Sequence, residues 1–271
     1  MTETTIAVLG LGEAGAAFAS DLAAAGAIVR GYDPFVQAPQ GVINCVDEAD
    51  AVKTAELILS VNSAAVALEV FDVAAGLVVP GAVWADLNTA DPELKRTLDS
   101  RAKSLGITFA DVSIMAAVPG HGLGTPLLSS GAGAQDVATL LVRYGATVTV
   151  LRGPAGVAAE RKLLRSVFYK GMSAAVVEAL AAARMLGLDD WVTDVITEEL
   201  TNSGPDSVDR IVTGTQKHAA RRADEIAAAG KMLADLGVDH DIADASAAQL
   251  RTIMARARRV SRTILAEGTA P

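Results

Sequence analysis

The sequence predicts an α/β domain built on a parallel sheet, followed by an all-α domain. In the first half, short apolar runs alternate with helical runs. A glycine-rich turn, Gly10-Leu11-Gly12-Glu13-Ala14-Gly15, directly follows the first apolar run. Beyond the cluster Gly153-Pro154-Ala155-Gly156 no strand pattern recurs, and long Ala-rich helical periodicity takes over. Strands that alternate with helices at this spacing give a sheet with helices on both faces.

The elements follow in order. Thr5–Leu9 is a compact apolar strand, and Glu13–Ala25 has helical periodicity. Ala27–Tyr32, Val42–Cys45, Ala55–Val61 and Ala82–Ala85 read as the next four strands, with a helix at Ala64–Ala75. Pro92–Leu105 is a helix, then Thr108–Met115, Pro126–Ser130 and Thr147–Val150 are strands, with a helix at Gln135–Tyr144 before the last. The second half carries helical patterns at Val157–Leu188, Asp189–Thr201, within Val208–Leu236 and at Ser246–Ala266. This places an α/β domain at 1–155 and an all-helical domain at 156–271. The tail from Glu267 to Pro271 reads as disordered.

A chain of 271 residues suits one large or two modest domains. Its formal charge of −9 gives it no electrostatic reason to bind nucleic acid or an anionic membrane. The single cysteine, Cys45, rules out an intramolecular disulfide and fits a reducing cytoplasm. The start lacks a secretory pattern, and the longest apolar stretch, around Ala64–Ala85, is broken by Glu69, Asp72, Gly76 and Pro80.

The glycine turn has the context of a Rossmann-type dinucleotide fingerprint: it leaves a strand and opens a helix, and the next strand ends at an acidic residue, Asp33. Gly10 allows the tight turn, Gly12 lets a pyrophosphate approach the backbone, and Gly15 lets the helix pack on the sheet. The helix N-terminus offers free N–H groups to the phosphates. An ordinary βα turn is the competing reading. Asp33 would accept hydrogen bonds from the adenine ribose, and Pro34-Phe35-Val36-Gln37 offer no Arg for a 2′-phosphate. NAD is therefore favoured over NADP, with Arg30 on the strand keeping NADP open. Asn62 and Thr89, at strand C-terminal ends, complete the candidate cofactor set; Thr89 could equally cap the helix starting near Pro92.

A second informative segment runs from Glu160 to Gly171. At helical spacing Lys162, Ser166 and Lys170 share a face, with Arg165 and Tyr169 beside them and Leu163, Leu164, Val167 and Phe168 largely opposite. Such a face could bind an anion and use Lys162 as an acid or base, its pKa lowered by Arg165 and Lys170. A solvated helix face is the alternative.

Together these motifs resemble the β-hydroxyacid dehydrogenase superfamily, which includes 6-phosphogluconate and 3-hydroxyisobutyrate dehydrogenases, and within it a branch with a short, distinct C-terminal domain. The resemblance rests on Gly10–Gly15; Asp86-Leu87-Asn88-Thr89 with Pro92; Asp111 to Pro119 leading to Gly124-Thr125-Pro126; and Gly156 to Lys162, continuing to Lys170-Gly171. It implies that Lys162 is the general acid/base and that Met115, Ala116, Ala117, Ser166 and Lys170 contact substrate, with His218 at a loosely matched substrate-side position. This chain departs from the family where Ser166 replaces an Asn and where Met115-Ala116-Ala117 replace Ser-Gly-Gly, which implies a less polar or differently shaped substrate. The chain is short for a true 6-phosphogluconate dehydrogenase. Imine reductases share the fold but usually carry Asp or Tyr at the lysine place. The resemblance also implies a homodimer paired through the helical half.

His121, in a glycine-rich turn, reads as an exposed loop residue or as part of a substrate loop. With three His and one Cys at no ligand spacing, the sequence offers no metal site, and it has no GxSxG nucleophile motif. The main reading is an NAD(P)-dependent oxidoreductase that moves a hydride between nicotinamide and a hydroxyl or carbonyl carbon of a small substrate such as a 3-hydroxy acid; the alternatives are an imine reductase-like enzyme and a non-catalytic NAD-binding sensor or interaction protein. All need the glycine turn; only the first needs Lys162.

Overall fold

The structure, a computed structural model, describes residues 3–267, with side-chain surroundings given through Arg259. The expected tail beyond Glu267 lies outside the described residues. Contacts divide the chain into two compact units, residues 1–166 and 167–271, and the division falls within one helix.

The first unit contains an eight-stranded sheet. Its strands are β1 (Thr5–Leu9), β2 (Ile28–Tyr32), β3 (Ile43–Asn44), β4 (Leu57–Ser60), β5 (Val83–Asp86), β6 (Thr108–Ile114), β7 (Leu127–Ser130) and β8 (Val148–Val150), in the order β3-β2-β1-β4-β5-β6-β7-β8. The order reverses direction across β1 and β4, and the crevice at such a switch point is where open α/β sheets bind ligands. The expected all-parallel sheet needs one correction. β7 pairs antiparallel with β6, while β8 is parallel to β7. The segment between β6 and β7 holds only a short 3-10 turn at Gly122–Gly124, and a parallel return needs a crossover of a dozen or more residues, usually a helix.

Side chains alternate across the sheet and build two cores. On one face, α1 (Glu13–Ala24) and α5 (Ala134–Val142) bring Phe18, Leu22, Val137 and Leu141 onto Val83 and Ala85 of β5. On the other, α2 (Glu48–Val52), α3 (Ala67–Ala74) and α4 (Pro92–Ser104) bring Val52, Phe71 and Leu98 onto Trp84. Phe71 and Trp84 meet edge to face at 4.8 Å. α2 was not expected from the sequence. It lasts barely more than one turn and is started by Asp47, whose carboxylate accepts from the Asp50 amide at 2.6 Å.

The 30-residue α6 (Val157–Leu186) begins in the first unit. The second unit contains the rest of α6, α7 (Asp189–Thr201), α8 (Ser207–Asp235) and α9 (Asp241–Glu267). α9 starts five residues before the expected Ser246. The Glu178 carboxylate of α6 accepts from the Ile242 amide at 2.8 Å and the Ala243 amide at 2.9 Å, an end-cap supplied by another helix. Among the described residues no helix is long and apolar enough to cross a membrane.

Removing that cap gives a direct test of the second unit. Glu178→Ala should cost about 1 kcal/mol, the usual loss of an end-cap. Amide exchange at Ile242 and Ala243 should accelerate while the sheet amides stay protected. Unchanged exchange there would show that the cap is idle.

Candidate active site

The glycine turn between β1 and α1 is explained residue by residue. Gly10 has φ +96°, and a Cβ there would lie 2.5 Å from Asn62 Oδ1 and 2.6 Å from the Val61 carbonyl. Gly15 sits so close under the turn that a Cβ would fall 1.9 Å from the Gly10 carbonyl oxygen. At Gly12 a Cβ would meet nothing within 4 Å. Two of the glycines therefore close the turn, and the third leaves its backbone open to solvent. No side chain caps the N-terminus of α1, so the amides there remain for a ligand. Glu13 and Gly12 are exposed, Ala14 half-buried and Leu11 buried in the core.

Beside this turn lies a cleft of about 510 Å³. It is lined by Gly10, Gly12 and Asn62, by Tyr32 to Phe35, by Val66 just before α3, and by Val70 and Val73 of α3. The Phe35 side chain is 94% exposed at the rim. Asp33 stands at the end of β2, as expected, but it does more than face a ligand. Its Oδ2 accepts from the Leu11 amide at 2.8 Å, and its Oδ1 accepts from Phe35 (2.8 Å) and Val36 (3.1 Å). It thereby ties the glycine turn to the segment after β2. A carboxylate has about four acceptor positions, so one remains for a ribose hydroxyl.

The cleft is acidic. Asp33, Glu48 and Glu69 line it, with no Lys or Arg among its lining residues. Burial, and then the charges of Glu48, Asp47 and Asp33, hold the Tyr32 phenol above its ordinary range. Arg30, on β2, is not among the residues lining the cleft and is paired with Asp50. Its guanidinium donates to the Asp50 carboxylate and carbonyl, each at 2.9 Å. The hydrogen bond from Lys53, with the Val46 amide and the Arg30 charge, holds the Asp50 carboxyl below the usual carboxylate range.

A buried polar network lies under the C-terminal ends of β4, β5 and β6. Asn62 and Asn88 both donate to Ser60 Oγ at 3.2 Å, and Asn88 also donates to Asp86 Oδ2 at 2.7 Å. Lys95 of α4, wholly buried, donates to the Asp86 carbonyl at 2.9 Å and to Asp86 Oδ1, and lies 3.4 Å from Asp111 Oδ1. Asp111 Oδ2 accepts from the Gly156 amide (2.9 Å), the Ala159 amide (3.0 Å) and Ser130 Oγ (3.2 Å). Ser130 Oγ accepts in turn from the Ala158 amide at 3.0 Å. Those amides are the first turn of α6.

One turn further along α6, Lys162 donates from Nζ to the Ile114 carbonyl at 2.5 Å. This places its ammonium at the end of β6, where the expected substrate segment begins. Met115 there is half-buried and Ala116 and Ala117 are exposed. Thr89 is exposed just past β5, and Ser166 is half-buried on α6. Thr89 does not cap α4; Asp91 does, accepting from the amides of Glu93 and Leu94. His121 is exposed, but its loop is pinned, because Asp21 Oδ2 of α1 accepts from the Leu123 amide at 2.7 Å. Lys170 and His218 belong to the second unit. Both are exposed, and His218 marks a kink in α8 at φ −115°, ψ 20°. Among the described residues no group of three His, Cys, Asp or Glu could hold a metal ion.

Residues 5–153, and with them the whole glycine turn and its cleft, match the family described as the NAD binding domain of 6-phosphogluconate dehydrogenase. The chain belongs to this family. It is thus an NAD(P)-binding protein of a dehydrogenase and reductase family, and the uncapped, open backbone at Gly12 fits that cofactor. Residues 183–253 match a domain of unknown function, DUF1932. A probable 3-hydroxyisobutyrate dehydrogenase of Mycobacterium tuberculosis is 27% identical over 206 residues, covering 72% of this chain and 69% of that protein. A conserved hypothetical protein of Sinorhizobium meliloti is 28% identical, covers 92% of this chain and 88% of its own, and has a TM-score of 0.59. An imine reductase of Myxococcus stipitatus in complex with NADP+ is 20% identical, with coverage of 93% and 94% and a TM-score of 0.75, and shares the fold.

The two kinds of glycine predict opposite phenotypes. Gly12→Ala should leave the melting temperature close to that of the parent and weaken NADH binding by about tenfold or more, because the new methyl enters the phosphate side of the cleft. Gly15→Ala should instead destabilise the fold, by roughly 2 kcal/mol or more, because backbone must move. Thermal melts and NADH fluorescence titration separate them. Equal behaviour of the two variants would contradict the geometry.

Proposed function

We propose that this protein is an NAD-preferring oxidoreductase that interconverts a hydroxyl and a carbonyl on a small molecule such as a 3-hydroxy acid, with Lys162 as general acid/base. The observation that supports it most is the position of Lys162, donating to the Ile114 carbonyl where β6 ends and the Met115–Ala117 segment begins. Gly10, Gly12, Gly15, Asp33 and Asn62 would hold the dinucleotide. Bound NAD supplies hydride exchange at the nicotinamide ring. Lys162 handles the accompanying proton: its amine takes the proton from the substrate hydroxyl in oxidation, and its ammonium returns it to the carbonyl oxygen in reduction. Met115, Ala116 and Ala117 offer few polar side-chain donors, which suits a substrate less polar than a sugar phosphate. Ser166, Lys170 and His218 are proposed as further substrate contacts.

The preference for NAD rests on Asp33, Glu48 and Glu69 in the cleft and on the engagement of Arg30 with Asp50. A 2′-phosphate there would face carboxylates without a cation. We further propose a homodimer formed through the helical half. Among the described residues none of α7 is buried, and Trp191, Val195 and Leu200 on it are exposed, as are Leu164, Val167 and Phe168 on α6. Light scattering should give twice the mass of the chain. We also propose a cytoplasmic location, which the buried Cys45 side chain fits.

The test is a panel of 3-hydroxy acids, related alcohols and cyclic imines, with NAD(H) and NADP(H). Turnover with a hydroxy acid is expected; turnover of the imines alone would overturn the assignment to hydroxyl chemistry. On the substrate found, Lys162→Met should lower turnover about 10²-fold or more while NADH binding changes little. Near-normal turnover would remove Lys162 from the acid–base role. NADH should bind more tightly than NADPH, and Asp33→Ala should narrow the gap; tighter NADPH binding would refute the preference.

A further inference from the structure

The buried ion cluster under the site has no place in the proton transfer itself, yet it is joined to the candidate lysine by an unbroken series of contacts. Lys95, Asp86 and Asp111 are each 0–1% exposed at the side chain. Burying charges costs several kcal/mol per ion unless they are paired and hydrogen-bonded. Here one cation serves two anions. Asp86 is fully engaged, taking Lys95 on Oδ1 and Asn88 on Oδ2. Asp111 is engaged on one side only. Its Oδ2 holds the first turn of α6, while its Oδ1 has no aligned donor and faces the Lys95 ammonium at 3.4 Å. The charge of Lys95 therefore answers the charge of Asp111 without taking the oxygen that holds the helix.

We propose that Lys95 is a positioning residue: by neutralising the buried Asp86–Asp111 pair it lets Asp111 stay bound to the amides of Gly156 and Ala159, and so fixes the α6 turn that aims Lys162 at the end of β6. The inference rests on the reading of Lys162 as the acid–base group, although its own observations are independent of any substrate. Helix α6 takes acceptors for its start from the sheet. Its first-turn amides go to Asp111 and Ser130, which stand on β6 and β7, and not to a side chain of its own N-terminal segment. Without Lys95, two carboxylates would share one dry site with no cation. Such pairs take up a proton or move apart. Either outcome weakens the acceptor that the helix uses.

The test compares Lys95→Met with the double variant Lys95→Met/Asp86→Asn. The double variant removes the second negative charge in a side chain of nearly the same shape, and leaves Asp111 as the one anion of the cluster. Hydrogen exchange on peptides covering residues 155–166 reads the helix start. Exchange should rise by about tenfold in Lys95→Met and return to within about threefold of the parent in the double variant, while the peptide holding Gly10–Gly15 stays unchanged. A cavity left by the missing lysine would not be repaired by a change at Asp86. If Lys95→Met fails to fold, a folded double variant with protected 155–166 supports the proposal, and an unfolded one overturns it. Wild-type exchange in a folded Lys95→Met overturns it as well.

A second readout follows Lys162 directly. The chain has only seven lysines, so reductive methylation with ¹³C-formaldehyde gives a simple spectrum, with Lys162 assigned by its loss in Lys162→Met. Its resonance should shift in Lys95→Met and return in the double variant; no shift would overturn the proposal. Neither readout needs turnover. A failure of the acid–base reading would appear only as normal turnover in Lys162→Met, so the two ideas fail separately.

Discussion

Lys95, buried between Asp86 and Asp111, is the interaction on which the arrangement of the first unit depends. It joins α4 to the C-terminal end of β5 and to the middle of β6, beneath the edge of the sheet that faces ligand. An apolar core could pack these strands with equal or greater stability, since buried ion pairs seldom add net stability over well-packed apolar residues. What an apolar core could not supply is a set of acceptors. Asp86 holds Asn88 and, through Asn88, Ser60 at the end of β4, beside the strand that leads into the glycine turn. Asp111 and Ser130 hold the amides that begin α6. The dinucleotide cleft and Lys162 are thus attached to one rigid group of side chains.

The same device recurs elsewhere in the chain. Asp33 takes the Leu11 amide and ties the glycine turn to the end of β2. Asp21 takes the Leu123 amide and pins the loop that carries His121. Glu178 takes two amides at the start of α9. In each case a carboxylate from one element satisfies backbone donors of another, distant in sequence. Orphan amides at turns and helix starts need acceptors, and charge-assisted hydrogen bonds are the stronger kind. Several of the acidic residues in this net-negative chain therefore serve its architecture.

Much of this was legible in the sequence where the cause is local. The three glycines of the turn are each required by something within a few residues or by the adjoining strand, so their spacing reveals them. Asp33 is marked by its place at the end of the second strand. The basic turn containing Lys162 shows as a periodic pattern. The rest depends on long-range contacts. Nothing in Pro92-Glu93-Leu94-Lys95 singles out Lys95, and only the fold shows that it lies on the buried face of α4. Asp111 reads as part of a motif, but its hold on residues 45 and 48 positions away leaves no periodic trace. The direction of β7 turned on a missing crossover helix, which a glance at strand patterns does not weigh. Helix α2 was too short for periodicity, although Asp47 ahead of Glu48 was a readable start signal. The start of α9 was misplaced because its cap comes from Glu178.

A crystal structure of the NADH complex tests the central claim most directly: that the glycine turn and Lys162 belong to one site. The account predicts the pyrophosphate against the Gly12 backbone and the first amides of α1, the adenosine between Asp33 and α3, and the nicotinamide ring over the ends of β5 and β6, within reach of the Lys162 ammonium. It also predicts that Asp111 keeps its hydrogen bonds to Gly156 and Ala159. A nicotinamide turned away from β6, with Lys162 still bound to the Ile114 carbonyl and remote from the ring, would contradict it.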